Sequence, residues 1–169
     1  MTAEYDFSRI KAIALDVDGV LTDGGFWWGP NGEEWKRFCF ADVMGISLGK
    51  KAGLVFALIS GEDSPLVDRF ATKMGIADVF KGCKDKATAL REFAERHALD
   101  LRDMAFMGDD VNDLGAMAIA GLSAAPANAV PEVREHVCCV TDRSGGNGAV
   151  RELLESVLKA RLARAESPR

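Results

Sequence analysis

"IALDVDGVLTDGG", residues 13–25, runs an apolar stretch straight into two acids, Asp16 and Asp18, followed by Gly19. The pattern over 11–17 predicts a β-strand that ends at the first carboxylate. Side chains alternate along extended backbone, so Asp16 and Asp18 point the same way. Gly19 lets the chain turn sharply behind them. A single acid after a strand is commonly a turn or helix cap. The pair therefore takes its meaning from what the other strands carry.

Further apolar runs at 54–60, 104–108, 121–125 and 136–141 predict strands, and helical patterns lie near 43–52, 64–74, 85–97, 111–119 and 147–163. Ser64-Pro65 reads as a helix N-cap with proline at the first helical position, and Gly75 as a C-terminal stop. Alternating strands and helices indicate βαβ units. The predicted fold class is α/β, with a doubly wound, mostly parallel, Rossmann-like sheet. Residues 1–169 read as one domain, a size that supports a sizeable core. Residues 24–38 break the pattern: two β-like arms flank Gly29-Pro30-Asn31-Gly32, which predicts a β-hairpin carrying Trp27, Trp28 and Trp35. Such a ribbon cannot turn all three indoles to one core, so it packs over a site or against another chain, unless it lies on its own domain.

The net charge of −5 gives no electrostatic reason to expect nucleic acid or an anionic membrane as partner. No apolar run approaches the roughly 18 residues of a membrane span. The N-terminus lacks a basic-then-apolar leader, so a cytoplasmic address is the default expectation. Cys39, Cys83, Cys138 and Cys139 form no metal-binding spacing and read as reduced, buried thiols.

Ligands of open parallel sheets bind beyond the carboxyl ends of the strands. The second predicted strand ends in Ser60-Gly61, a hydroxyl with backbone N–H groups suited to phosphate oxygens. The third runs into Asp109, Asp110 and Asp113. Lys86 opens a helix, where a cation opposes the helix dipole unless an anion lies nearby. Several clustered carboxylates repel one another unless a hard cation sits among them, and Mg²⁺ suits oxygen ligands plus a substrate phosphate. The set reads as a metal-dependent phosphoryl-transfer site.

In order, DVDGVLT (16–22), Ser60 in ISG, Lys86 and GDDVND (108–113) resemble the four signatures of the haloacid dehalogenase superfamily. The resemblance spans about residues 8–160. It implies Asp16 as nucleophile and metal ligand, Asp18 as general acid/base and a ligand through its carbonyl, and Asp109 as a direct ligand. Asp113 and Asp110 would support the metal from behind. Ser60 and Lys86 would hold phosphate oxygens. Only 43 residues separate Asp16 from Ser60 and 25 separate Ser60 from Lys86, too few for a cap domain.

DVDGVLTDGG, EEWKRF, DVMGI, KDK, GDDVND and GGNGAVRE are similar to the capless phosphatases of 3-deoxy-2-keto sugar acid phosphates. That resemblance implies a homotetramer whose hairpins meet. Glu62 after Gly61, with Lys73 eleven residues on, and PANAVPEVRE (126–135) resemble the branch of that family that acts on 2-keto-3-deoxynononate 9-phosphate or sialic acid 9-phosphate, which implies one of these as substrate. 3-Deoxy-manno-octulosonate 8-phosphate is the alternative. A non-catalytic assembly domain, like those fused to cytidylyltransferases, is a further alternative of another class. Lys73 lies nine residues into its helix, roughly 13 Å from the catalytic end. Lys73 and Arg69 share a face and are expected to bind the substrate carboxylate in a neighbouring subunit's site, whereas Gly61 and Glu62 are expected to contact substrate in their own site, Glu62 through hydroxyl or amine groups of the sugar. The tail RLARAESPR could close over a neighbouring site or fray.

Overall fold

The computed structural model describes residues 5–166. In chain order the elements are β1 (Ala12–Leu15), β2 (Trp27–Trp28), β3 (Glu34–Trp35), α1 (Phe40–Lys51), β4 (Val55–Ile59), α2 (Pro65–Met74), β5 (Asp78–Phe80), α3 (Lys86–Arg96), β6 (Met104–Met107), α4 (Leu114–Ile119), β7 (Leu122–Ala125), α5 (Pro131–His136), β8 (Cys139–Val140) and α6 (Ala149–Glu166). Six strands form one sheet in the order β5-β4-β1-β6-β7-β8. Every neighbouring pair in it is parallel. The chain winds outward from β1 through β4 to β5, then returns beside β1 with β6 and winds the other way. The reversal between β1 and β6 is where such sheets open a crevice.

Strand alternation divides the core. Ile13 and Leu15 join Leu58, Met107 and Ala124 on the face covered by Ile46 of α1, Phe70 of α2 and Leu153 and Leu154 of α6. Ala12 and Ala14 join Ile59, Phe106 and Ala125 on the other face, under Leu90 and Phe93 of α3, Met117 of α4 and Val133 of α5. Helices on both faces explain why the strands lack polar alternation. Leu15 pairs with both Leu58 and Met107, so β1, β4 and β6 finish level and release Asp16, Ser60 and Asp109 at one edge.

The Ser64 side chain accepts from the Leu66 N–H at 3.3 Å, Pro65 opens α2, and Gly75 closes it at φ 61°, as expected. The strands are shorter than the apolar runs, and the run at 136–141 yields only β8. β5 and α5 have no counterpart in the sequence reading. β5 has three residues and α5 six, below the length at which periodicity shows. The pattern at 111–119 divides into a 3₁₀ turn, Val111–Asp113, and α4. All four cysteines are free, but they are half-buried rather than buried. No helix among the described residues is long and apolar enough to cross a membrane.

The hairpin pairs Trp27 with Trp35 and Trp28 with Glu34. Cross-strand partners share a face, so Trp28 lies opposite the other two indoles. Trp27 and Trp28 remain 70% and 72% exposed and Trp35 54%. The hairpin therefore does not bury its indoles on its own domain.

Candidate active site

The loop after β1 is built around buried groups. The Asp16 N–H donates to the Met107 carbonyl at 2.9 Å, seating the carboxylate between β1 and β6. Thr22, fully buried, accepts through Oγ1 from the N–H groups of Gly19 at 3.3 Å and Gly24 at 3.2 Å. Asn128, beyond β7, donates to the Gly19 carbonyl at 3.0 Å and accepts from the Gly145 N–H at 2.6 Å. Gly19 has φ 85°, and a Cβ there would lie 1.9 Å from Asp109 Oδ2. The loop thus crosses directly over the Asp109 carboxylate. Gly19→Ala is expected to displace Asp109 and weaken divalent-cation binding at least about tenfold, with about 1–3 kcal/mol of backbone strain. Titration calorimetry with Mg²⁺ checks the first effect and urea unfolding the second. An unchanged affinity would mean that the loop tolerates the methyl without moving Asp109.

Carboxylate oxygens of Asp16, Asp109 and Asp113 all lie within 4.8 Å of one another. Lys86 sits among them, 2.9 Å from Asp16 and 2.6 Å from Asp113, with its side chain 1% exposed. The cation at the start of α3 thus has the anions that its position demanded. Asp113 is fully buried and fully engaged: Oδ1 takes Lys86, and Oδ2 accepts the N–H groups of Asp109 at 2.9 Å and Asp110 at 3.2 Å. That leaves Asp16 and Asp109 as the carboxylates with free capacity. Asp110 is exposed, and its carboxylate caps the 3₁₀ turn by accepting from the Val111 N–H.

Three carboxylates against one ammonium leave the cluster short of positive charge. Burial, then repulsion from Asp113, raises Asp16 well above the usual carboxylate range despite Lys86. Burial and Asp113 push Asp109 up to about 6. Burial pulls Lys86 down, but attraction to Asp16 and Asp113 outweighs it and its value ends raised. A cluster of hard oxygen donors with unmet negative charge fits a divalent cation such as Mg²⁺.

Asp16, Asp18, Gly61, Glu62, Lys86, Asp109 and Asp110 line one cleft of about 380 Å³, with Gly24, Val111 and Asn112. Ser60 is fully buried, and its Oγ accepts from the Glu62 N–H at 3.1 Å. Among the described residues, no hydrogen bond or ion pair holds the exposed Glu62 carboxylate. Arg69 and Lys73 lie outside this cleft. They line another of about 560 Å³ with Lys36, Phe38, Phe40 and Leu66, and the Lys73 ammonium stands 5.8 Å from the Phe40 ring centroid.

Lys36, Thr22 and Asn128 escaped the sequence reading. Lys36 donates to Asp18 Oδ1 at 2.8 Å with its side chain 4% exposed. Burial lowers its pKa, but Asp18 and Glu34 outweigh this and raise it. A lysine in a charged hairpin arm carries no local sign of burial. Asn128 gave a weak signal: an amide just past the end of a strand.

The sequence profile of the haloacid dehalogenase-like hydrolase family matches residues 53–153. The 3-deoxy-D-manno-octulosonate 8-phosphate phosphatase KdsC of Escherichia coli strain K12 is 37% identical over 152 residues, 90% of this chain and 81% of that protein. Its Haemophilus influenzae counterpart is 38% identical over 157 residues, covering 93% and 87%. The crystal structure of the Moraxella catarrhalis enzyme, in complex with magnesium, phosphate and KDO, superposes with a TM-score of 0.90. It shares 38% identity, over 93% of this chain and 90% of that one. The cobalt-bound H. influenzae phosphatase gives 0.89 at 37% identity, over 92% and 91%. These relatives favour the octulosonate alternative over the nonulosonate preference drawn from Glu62. One unpaired carboxylate at the rim carries less weight than identity spread along the chain. With the sheet order, the acid cluster and these likenesses agreeing, the chain belongs to the haloacid dehalogenase-like hydrolases, among the phosphomonoester hydrolases that KdsC represents.

Proposed function

We propose that this protein is a Mg²⁺-dependent phosphatase that hydrolyses 3-deoxy-manno-octulosonate 8-phosphate through an aspartyl-phosphate. The observation that carries this reading is the convergence of Asp16, Asp18, Lys86 and Asp109 on one cleft at the switch point of the sheet. Asp16, Asp109 and the Asp18 carbonyl would hold the metal, which supplies positive charge to the phosphoryl oxygens. Asp16 attacks phosphorus while the bond to the sugar oxygen breaks. Asp18 gives its proton to that departing oxygen. It then takes a proton from water as the water oxygen attacks the acyl phosphate, freeing phosphate and the Asp16 carboxylate. Lys86 and the Ser60 hydroxyl stabilise the charge on the equatorial oxygens.

A panel of the octulosonate 8-phosphate and the two nonulosonate 9-phosphates tests the substrate. The highest kcat/KM is expected on the 8-phosphate, by at least about tenfold, the worth of about 1.4 kcal/mol in the transition state. A tenfold preference for either 9-phosphate would return the assignment to Glu62.

Glu62 and Asp110 of the cleft lining are exposed, and so are the indoles of the hairpin. Both support a homotetramer in which neighbours cover each site and supply Arg69 and Lys73 to the substrate carboxylate. A mixing experiment tests the sharing. Inactive Asp16→Asn and inactive Lys73→Glu chains, allowed to exchange subunits, are expected to recover activity. No recovery despite confirmed exchange would contradict shared sites.

A further inference from the structure

Asp16 and Asp18 are each gripped by a lysine from a different part of the chain. Lys86, at the start of α3, holds Asp16 at 2.9 Å. Lys36, directly after β3 of the hairpin, holds Asp18 Oδ1 at 2.8 Å. The Lys36 side chain is 4% exposed, although the neighbouring Trp35 is 54% exposed. Among the described residues, the other carboxylate within ion-pair reach of it is Glu34, at 3.6 Å. Burying an ammonium is costly unless close anions compensate, so this inward turn at the base of a solvent-exposed hairpin is sustained by Asp18.

We propose that Lys36 is a positioning residue for the proton transfers of Asp18, linking the hairpin to the catalytic loop. The inference rests on the phosphatase reading above. The Lys36 ammonium donates to Oδ1, which fixes the carboxyl plane. Asp18 Oδ2 has no protein partner among the described residues and is the oxygen left to carry the proton. In the first step that proton passes from Oδ2 to the sugar oxygen as the P–O bond breaks. In the second, Oδ2 takes a proton from the attacking water. Lys36 neither gains nor loses a proton. Without it, the Asp18 carboxyl is free to rotate away from the line of transfer, and an error of about 1 Å in such a group costs up to about 100-fold in rate.

Leaving groups separate this role from others. An alkyl phosphate needs a proton on its departing oxygen, whereas 4-nitrophenol departs without one. kcat/KM reports the chemistry through that departure. For Lys36→Met, kcat/KM on a carboxylate-free alkyl phosphate is expected to fall about 30-fold, a part of the roughly 100- to 10,000-fold that general acid catalysis supplies. On 4-nitrophenyl phosphate it should fall by no more than about threefold, and that activity also reports a folded site. Lys36→Arg, which keeps a charged donor, should restore most of the alkyl rate. Equal losses on both substrates would make Lys36 merely structural and overturn the proposal. A loss confined to carboxylate-bearing substrates would overturn it in favour of direct substrate binding. Wild-type protein inactive on both phosphates with Mg²⁺ would overturn the phosphatase reading itself.

Discussion

Asp16→Asn is expected to lower phosphate release from every phosphomonoester by at least about 1,000-fold, the scale on which activated nucleophiles contribute. An amide is a poor nucleophile toward phosphorus and a poorer ligand for a hard cation than a carboxylate. Asp16 also faces Lys86 at 2.9 Å, so the substitution removes one of the two charges balancing that buried ammonium. The fold should survive, because Asp113 still holds Lys86 at 2.6 Å. Steady-state assays with Mg²⁺ beside a circular dichroism spectrum check both statements. Activity within tenfold of wild type would exclude Asp16 as the nucleophile.

Lys86→Met is expected to cost both activity and stability. The methionine stem fills a similar volume but leaves Asp16 and Asp113 buried without their shared cation. Removing one partner of a buried ion pair costs about 3–5 kcal/mol. Loss of the donor proposed to stabilise transition-state charge should lower kcat by about 100–1,000-fold. Urea unfolding in EDTA reads the first effect. Added Mg²⁺ should return part of the lost stability, because a divalent cation replaces some of the missing positive charge. Unchanged stability in EDTA would mean that the carboxylates were never strained by one another.

Much of this arrangement was legible in the sequence because it depends on where strands end. Asp16, Ser60 and Asp109 each follow an apolar run, and parallel strands in level register must deliver their ends together. Lys86 was readable as a misplaced cation at a helix start. Lys36 was not, because its partner Asp18 lies 18 positions away and only the hairpin's path brings them together. Asn128 binds Gly19 across 109 positions, a contact that no local pattern encodes. β5 was missed because its three residues gain their strand character from pairing with β4 rather than from periodicity. Glu62 shows the opposite error. Its position beside Gly61 puts it in the lining of the cleft, but a single side chain there does not decide between sugar acid substrates.

The central claim is that Asp16 forms a covalent phosphoryl intermediate at the switch point between β1 and β6. Trapping tests it most directly. The enzyme, mixed with Mg²⁺ and excess substrate and quenched in acid within a single turnover, is treated with borohydride, which reduces an acyl phosphate to an alcohol. Peptide mass spectrometry is predicted to find homoserine at position 16 in the reacted enzyme, and unmodified Asp16 when substrate is omitted. An active enzyme that never yields homoserine at position 16, or yields it at position 18 or 109 instead, would contradict the account.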